Sequence, residues 1–480
     1  MRIAASVLTL FCVSLAGNSR AADPALRQRA AEGLKKAVDS FQNEVSCEGG
    51  YLWRYSEDLQ RREGEGKASA TTVWVQPPGT PSVGMALLGA YEATGEEHYL
   101  EAARRTGMCL VRGQLASGGW DYRIEFDSKE RARYAYRVEP AQKGKLRNTS
   151  TLDDDATQAA LRMLMRLDKA LEFRDEKIHE AAMFALARLI EVQYPNGAWP
   201  QRFDSPPDPK QFPVKKASYP ESWSRTYPGV DYKTFYTFND NAMNDVIDVM
   251  FEAWRTYGDE KYRASAELAG GFILLAQMPD PQPGWAQQYN ADMQPAWARK
   301  FEPPSITGGE AYGVVRALFQ LYRETGDKKY LEPIPRAIAY YRSSLLPNGQ
   351  LARFYELKTN RPLYFTKDYQ LTYSDADMPT HYAFKTGDWT ESAQRQYDQL
   401  VKLSPEPLRP EGPRKPGKAS AKLISQVESV LSAMDSRGRW VEEGKLHYQG
   451  ENDPTRKVID CTTFIRNVGV LSAYLATKGD

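Results

Sequence analysis

The sequence predicts an all-α protein, an α/α toroid in which antiparallel helix pairs form a ring and long irregular loops make a cleft at one end. Two observations carry this. One unit recurs four times at nearly constant spacing: a helix, a Gly-Asp turn, a second helix, then a loop with glycine and an aromatic. Strand signals are sparse, and consecutive helix pairs either stack into a solenoid or close into a double ring. A closed ring is expected, because it would bring the loops after the second helices to one end.

The turns are Thr94-Gly95-Glu96-Glu97, Phe173-Arg174-Asp175-Glu176, Tyr257-Gly258-Asp259-Glu260 and Thr325-Gly326-Asp327-Lys328. From the second residue of each, 25 residues lead to Trp120, 25 to Trp199, 27 to Trp285 and 25 to Leu351. The intervening segments read as helices. Ala156, Ala159, Ala160, Met163, Leu164 and Leu167 fall at spacings of three and four, as do Ala182, Ala185, Leu186, Leu189 and Ile190. Glycine and aspartate in the turn stop one helix and cap the next, which is turn chemistry and says nothing of function. Partial copies flank the four: Gly49-Gly50-Tyr51-Leu52-Trp53 follows a helical segment near Leu26 to Val45, and Gly438-Arg439-Trp440 follows Lys422 to Met434. That makes roughly six paired-helix units. Trp120, Trp199, Trp285 and the residues beside Leu351 are expected to gather in a single cleft.

At the amino end, Met1 and Arg2 precede an apolar run, Ile3 to Ala16, too short to span a bilayer, and Ser19-Arg20-Ala21 resembles a cleavage site. Residues 1–21 therefore read as a signal peptide and 22–480 as a single toroid domain. The mature chain is expected to be secreted or periplasmic and to have no membrane attachment, since no lipid-attachment pattern precedes Cys12 and no second long apolar stretch follows. Within the domain, 404–418 is rich in proline and lysine and reads as an exposed linker. Residues 204–233 carry six prolines and no helical period, and read as a lid or wall of the cleft.

The chain has 63 Lys and Arg against 62 Asp and Glu, so loss of Arg2 and Arg20 with the signal peptide leaves a formal charge of about −1. No global field attracts a polyanion, which argues against nucleic acid as a partner. An acidic substrate would have to be met by a few basic groups inside a cleft. The 10 Trp, 28 Tyr and 17 Phe suit a sugar-binding cleft. Cys47, Cys109 and Cys461 permit at most one disulfide, in a pairing the sequence leaves open. The four histidines, His98, His179, His381 and His447, show no metal-ligand spacing. A monomer is expected.

Four clusters place polar residues where loops meet helix starts. The first is Thr151-Leu152-Asp153-Asp154-Asp155-Ala156-Thr157. One aspartate would serve as an N-cap. Three in a row exceed what capping needs; they repel, and oxygen ligands of this kind suit calcium. The second is Asn196-Gly197-Ala198-Trp199-Pro200-Gln201-Arg202-Phe203, followed after the insertion by Thr237-Phe238-Asn239-Asp240-Asn241. Asp240 stands at the same repeat phase as Asp153 to Asp155, so both groups should lie at one end of the ring. The third and fourth are Trp297-Ala298-Arg299-Lys300-Phe301-Glu302-Pro303-Pro304-Ser305 and Arg353-Phe354-Tyr355-Glu356-Leu357-Lys358-Thr359-Asn360-Arg361-Pro362. Arginine pairs with carboxylates in a forked, bidentate way, which fits an acidic sugar.

These clusters, in this order over Thr151 to Pro362, resemble the motifs of the family 10 polysaccharide lyases, the pectate lyases. The resemblance implies a calcium-dependent lyase that breaks polygalacturonate by β-elimination and leaves an unsaturated uronate, with a family-like core at about 150–365. It implies Arg299 as the base, Asp240, Asp153 and Asp154 at the metal, and Arg361, Arg353, Trp199, Gln201, Asn239 and Glu302 around the substrate. The chain departs from the pattern at Asp154-Asp155, where the family has Asn-Gly, at Ala198, at Lys300-Phe301 and in the 204–233 insertion. Two other readings fit the residues alone. One is a glycoside hydrolase using paired aspartates from the 153–155 and 240 groups; the other is a non-catalytic carbohydrate-binding solenoid.

Overall fold

A computed structural model describes residues 24–139, 144–403 and 417–478. The segment read as a signal peptide, and all of the segment read as a linker except residues 417 and 418, lie outside the described residues. Among the described residues there are thirteen α-helices: α1 (Pro24–Ser40), α2 (Thr80–Thr94), α3 (Glu97–Gly113), α4 (Ser128–Arg131), α5 (Ala156–Ala170), α6 (Glu176–Glu191), α7 (Ala242–Tyr257), α8 (Glu260–Ala276), α9 (Ala311–Thr325), α10 (Ile334–Ser343), α11 (Thr390–Leu400), α12 (Ala421–Ser432) and α13 (Cys461–Leu475). None is long and apolar enough to cross a membrane.

The turns work as their residues require. Gly95, Gly258 and Gly326 end α2, α7 and α9 at φ of 74°, 75° and 73°, the left-handed conformation that closes a helix when no Cβ is present. The Phe173 turn has no glycine, and Glu172 and Phe173 take the left-handed conformation instead. Asp175 and Asp259 then cap α6 and α8, and Asp327 the 3-10 turn Lys328–Tyr330, each accepting the backbone N–H two residues on and Asp175 also the one after it.

Helices α13, α2, α5, α7, α9 and α11 pack side by side in that order as an inner layer, with α1, α3, α6, α8, α10 and α12 outside it. The fold is an α/α toroid. A short ladder stitches every unit but that of α11 and α12, pairing the strand before an inner helix with the strand after the outer helix of the same unit. Thr72–Trp74 pairs with Arg123–Glu125, Ser150–Thr151 with Arg202–Phe203, Tyr236–Thr237 with Gln288–Tyr289 and Ser305–Thr307 with Phe354–Glu356. The same rule joins the two ends of the chain. Lys457–Asp460, before α13, pairs with Arg54–Ser56, after α1. One unit of the ring is thus split, its inner helix from the carboxyl end and its outer helix from the amino end.

The recurring tryptophans do not line a cleft, which corrects that expectation. Trp120, Trp199 and Trp285 are each at most 1% exposed, and Trp440 is also buried. Their indole N–H groups donate to Leu110, Leu189, Ile273 and Val430 carbonyls at 2.8, 2.8, 3.0 and 2.9 Å. Those carbonyls lie in the last turns of α3, α6, α8 and α12, where intrahelical partners run out. A buried indole must place its N–H, and here it closes an outer helix. After α10 the Tyr355 hydroxyl does the same for the Ser344 carbonyl, at 2.7 Å. Cys47, Cys109 and Cys461 are free thiols.

The 204–233 insertion is a strap with little regular structure, tied down along its length. Phe212 packs on Tyr194 with ring centroids 4.3 Å apart. The Ala217 N–H donates to the Leu275 carbonyl at 2.8 Å, and the Trp297 indole donates to the Ser224 carbonyl at 2.7 Å.

Candidate active site

Two loops of the same design build the acidic part of the site. In each, a threonine hydroxyl accepts the N–H two residues on: Thr151 from Asp153 at 3.2 Å, and Thr237 from Asn239 at 3.0 Å. A tight 3-10 turn follows, and two consecutive left-handed residues lead into the inner helix. These are Asp154 and Asp155 at φ 51° and 58° before α5, and Asp240 and Asn241 at φ 47° and 57° before α7. Short polar side chains tolerate that conformation better than other residues with a Cβ. The result swings Asp154 and Asp240 toward each other. One carboxylate oxygen from each of Asp153, Asp154 and Asp240 lies within 4.8 Å of the other two. Asp155 takes no part, because it turns to Arg162 and pairs with it at 2.6 Å.

Burial and mutual repulsion govern this cluster. The Asp154 carboxyl is pushed up to about 7, first by burial and then by Asp153, Asp240 and Glu65. Burial and Asp153 also push Asp240 up, against the pull of Arg299 and Arg353. The helix N-termini behind these residues favour anions by only about 0.3–1 kcal/mol each, too little to offset the upward push on Asp154. Asp153 is anchored by the Tyr122 hydroxyl at 2.8 Å and lies 3.6 Å from Arg202, yet its Oδ1 is buried with no hydrogen-bond partner. An orphaned carboxylate oxygen facing two further carboxylates is a donor set that a hard divalent cation satisfies.

Arg299 borders the cluster. Its guanidinium is 3.8 Å from Asp240 and 3.0 Å from Glu302, and its Nε is buried without a partner. Glu302 is 1% exposed and fully engaged: Gln287 and the Tyr382 hydroxyl donate to it at 2.8 and 3.0 Å, and the Arg299 N–H at 3.2 Å. Burial pulls the Arg299 guanidinium down, but Glu302 and the more distant Asp153 outweigh it and hold the group above its ordinary range. Arg353 pairs with Glu310, lies 4.4 Å over the Tyr382 ring, and also has a buried, unpartnered Nε. Burial pushes Glu310 up to about 7 despite that pairing.

The structure therefore brings together Asp153, Asp154, Asp240, Arg299, Glu302 and Arg353 of the residues the sequence singled out. Others serve differently. Trp199 is core, as described above, and offers no face to a sugar. Asn239 is 3% exposed, donates to Asp240 and accepts from Gln287 at 3.0 Å, so it holds the aspartate in place. Gln201 is 4% exposed, and its carbonyl accepts the Leu152 N–H at 2.8 Å, fixing the first loop. Arg361 is exposed, stacks 3.4 Å over Tyr373, and has no contact with the aspartates.

Sequence reasoning missed Tyr122, Arg202, Gln287, Glu310 and Tyr382. It also missed Tyr232 of the strap, whose hydroxyl feels Arg299, Glu302, Arg202 and Asp153. Glu310 follows a third loop of this kind, where Thr307 accepts the Gly309 N–H two residues on at 3.2 Å, as the other two threonines do, and the Glu310 N–H at 3.2 Å as well.

Residues 114–348 match the family model of pectic acid lyase. No curated protein matches the sequence. Among solved structures, the chain is similar to a family 10 polysaccharide lyase from Cellvibrio cellulosa at 21% identity, covering 62% of this chain and 92% of that one, with a TM-score of 0.45. It is similar to a D-mannose isomerase at 14% identity, covering 95% and 99%, with a TM-score of 0.42. It is also similar to an α-mannanase from Bacteroides thetaiotaomicron at 11% identity, covering 94% and 95%, with a TM-score of 0.41. Likeness this distant assigns no activity.

Proposed function

We propose that the chain, whose residues 114–348 match the family model of pectic acid lyase, is a polysaccharide lyase that cleaves polygalacturonate by β-elimination, with calcium held by Asp153, Asp154 and Asp240 and with Arg299 as the base. The observation that carries this reading is the placement of one arginine at the rim of a three-carboxylate cluster, 3.8 Å from Asp240. A divalent cation there would neutralise the substrate's carboxylate and stabilise the charge that develops when the adjacent carbon loses its proton.

The protein's own groups supply the rest. Arg299, in its neutral form, takes the proton from C5; the C5–H electrons form the C4–C5 double bond, the C4–O4 bond breaks with its electrons going to O4, and O4 takes a proton from solvent water. Arg353 and the half-buried Tyr122 and Tyr382 form the walls around this chemistry. A guanidinium is a poor base, and Glu302 makes it poorer by favouring the cation. Turnover should therefore rise steeply toward alkaline pH.

A signal peptide at residues 1–21 would place the mature chain outside the cytoplasm, where such a polymer is met. The decisive assay is polygalacturonate turnover, followed by the ultraviolet absorbance of the unsaturated uronate and by reducing ends, with and without a chelator. Reducing ends without that absorbance would mean hydrolysis and would overturn the proposal. Absorbance that survives exhaustive chelation would remove calcium from it.

A further inference from the structure

Resting on the reading of the substrate as a polyuronate, we propose that Arg225 of the strap, with Arg361 and Lys358, forms an outer subsite that grips the carboxylate of a sugar beyond those at the reacting bond. The strap carries Trp223 and Arg225 onto Tyr373. The Arg225 guanidinium lies 5.3 Å from the Trp223 ring and 5.0 Å from the Tyr373 ring. Arg361 covers the same tyrosine at 3.4 Å, and the Lys358 ammonium lies 5.8 Å from Tyr219, also of the strap.

The charges here do not cancel. Glu356 is the acid in contact with this group, and its oxygens are already committed to Arg225, the Tyr373 hydroxyl at 2.8 Å and the Thr359 hydroxyl at 2.5 Å. The side chains of Arg361 and Lys358 form no ion pair or hydrogen bond among the described residues. The Arg225 side chain is 46% exposed and that of Glu356 is 10% exposed, so the cations face solvent and the acid faces inward. Exposed cations stacked on aromatic rings suit a uronate, which offers an apolar ring face and a carboxylate together.

The patch is also joined to the site through the chain. Arg353, at the aspartate cluster, and Glu356 are three residues apart on one extended run, about 10 Å at the rise of a strand. Trp297 ties the strap down at Ser224, one residue from Arg225 and two from Arg299 on its own side. On this proposal an acidic polymer seated on Arg299 and Arg353 extends to Arg225, and a trimer stops short of it.

Calorimetry on the chelated protein, with trigalacturonate and hexagalacturonate as probes, tests this without turnover. The wild type is expected to bind the hexamer more tightly than the trimer. Arg225→Ala should weaken hexamer binding about five- to tenfold, most of that preference, and Arg225→Lys should recover part of it. Glu356→Gln removes the acid but keeps its hydrogen-bond shape, and should leave hexamer binding equal or tighter. Equal affinity for the two oligomers in the wild type would overturn the proposal. So would equal loss for both in Arg225→Ala, or a matching loss in Glu356→Gln, which would make Arg225 a pin for the strap. Failure to form unsaturated product with calcium, alongside a normal Arg225 effect on binding, would instead count against the lyase mechanism alone.

Discussion

Replacing Asp154 by asparagine should make the metal-free protein more stable at alkaline pH and less responsive to calcium. Its carboxyl rises from 3.8 to about 7 in the folded protein. The folded state therefore holds this proton more tightly than the unfolded chain. The stabilising effect is complete below pH about 4 and is lost as pH rises through about 7. At 1.36 kcal/mol per pK unit the loss is at most about 4 kcal/mol, since solvent screens a group that is partly exposed. A chain of 480 residues unfolds with an entropy of about 1 kcal/mol/K, so this group alone should lower Tm by at most about 4 °C between pH 4 and 8. Asparagine fills nearly the same volume and has no such charge to shed. The assay is Tm against pH in a chelator for the wild type and Asp154→Asn, taking the difference so that groups not coupled to Asp154 cancel. Calcium at a hundredfold excess over its Kd should restore about 2.7 kcal/mol to the wild type and much less to the variant. Parallel pH curves for the two proteins, or equal calcium stabilisation, would refute the reasoning.

Three further outcomes follow from the geometry. Arg299→Ala should lower kcat by about 10²–10⁴-fold while leaving oligogalacturonate binding within a few-fold, measured by single-turnover kinetics and calorimetry. Glu302→Gln removes the main charge that keeps Arg299 protonated, so the alkaline rise of kcat/KM should move to lower pH; a profile that moves to higher pH, or does not move, would count against Arg299 as the titrating base. Trp199→Phe should cost about 1–2 kcal/mol through the unpaired Leu189 carbonyl and leave KM unchanged, checked by denaturant unfolding and steady-state kinetics.

The helix pairs and their turns were legible because each repeats, and a repeated signal survives the noise of any one copy. That same repetition misled the reading of the tryptophans. A residue that returns in every unit is answering a need that every unit has, here the open carbonyls at the end of an outer helix. Chemistry happens in one place and uses what is not repeated. Asp153 and Asp240 were found because two adjacent loops share a phase and differ from the rest. Asp155 looked equivalent to its neighbours, but the second of two left-handed residues points the other way, to Arg162. Tyr382 comes from a segment with no period, and its role depends on where the chain returns after α10. Nothing local to the sequence encodes that.

The split unit makes closure of the ring the last event open to the chain. Helix α1 finds its main packing partners, α12 and α13, at the far end, and strand Arg54–Ser56 waits for Lys457–Asp460. Until some 400 further residues are in place, the amino-terminal helix has its apolar face, Leu26, Ala30, Leu34, Ala37 and Val38, without a cover. The same clasp means that losing α13 opens both ends at once, so a truncation of the last twenty residues should behave as loss of the fold and not as a trimmed tail.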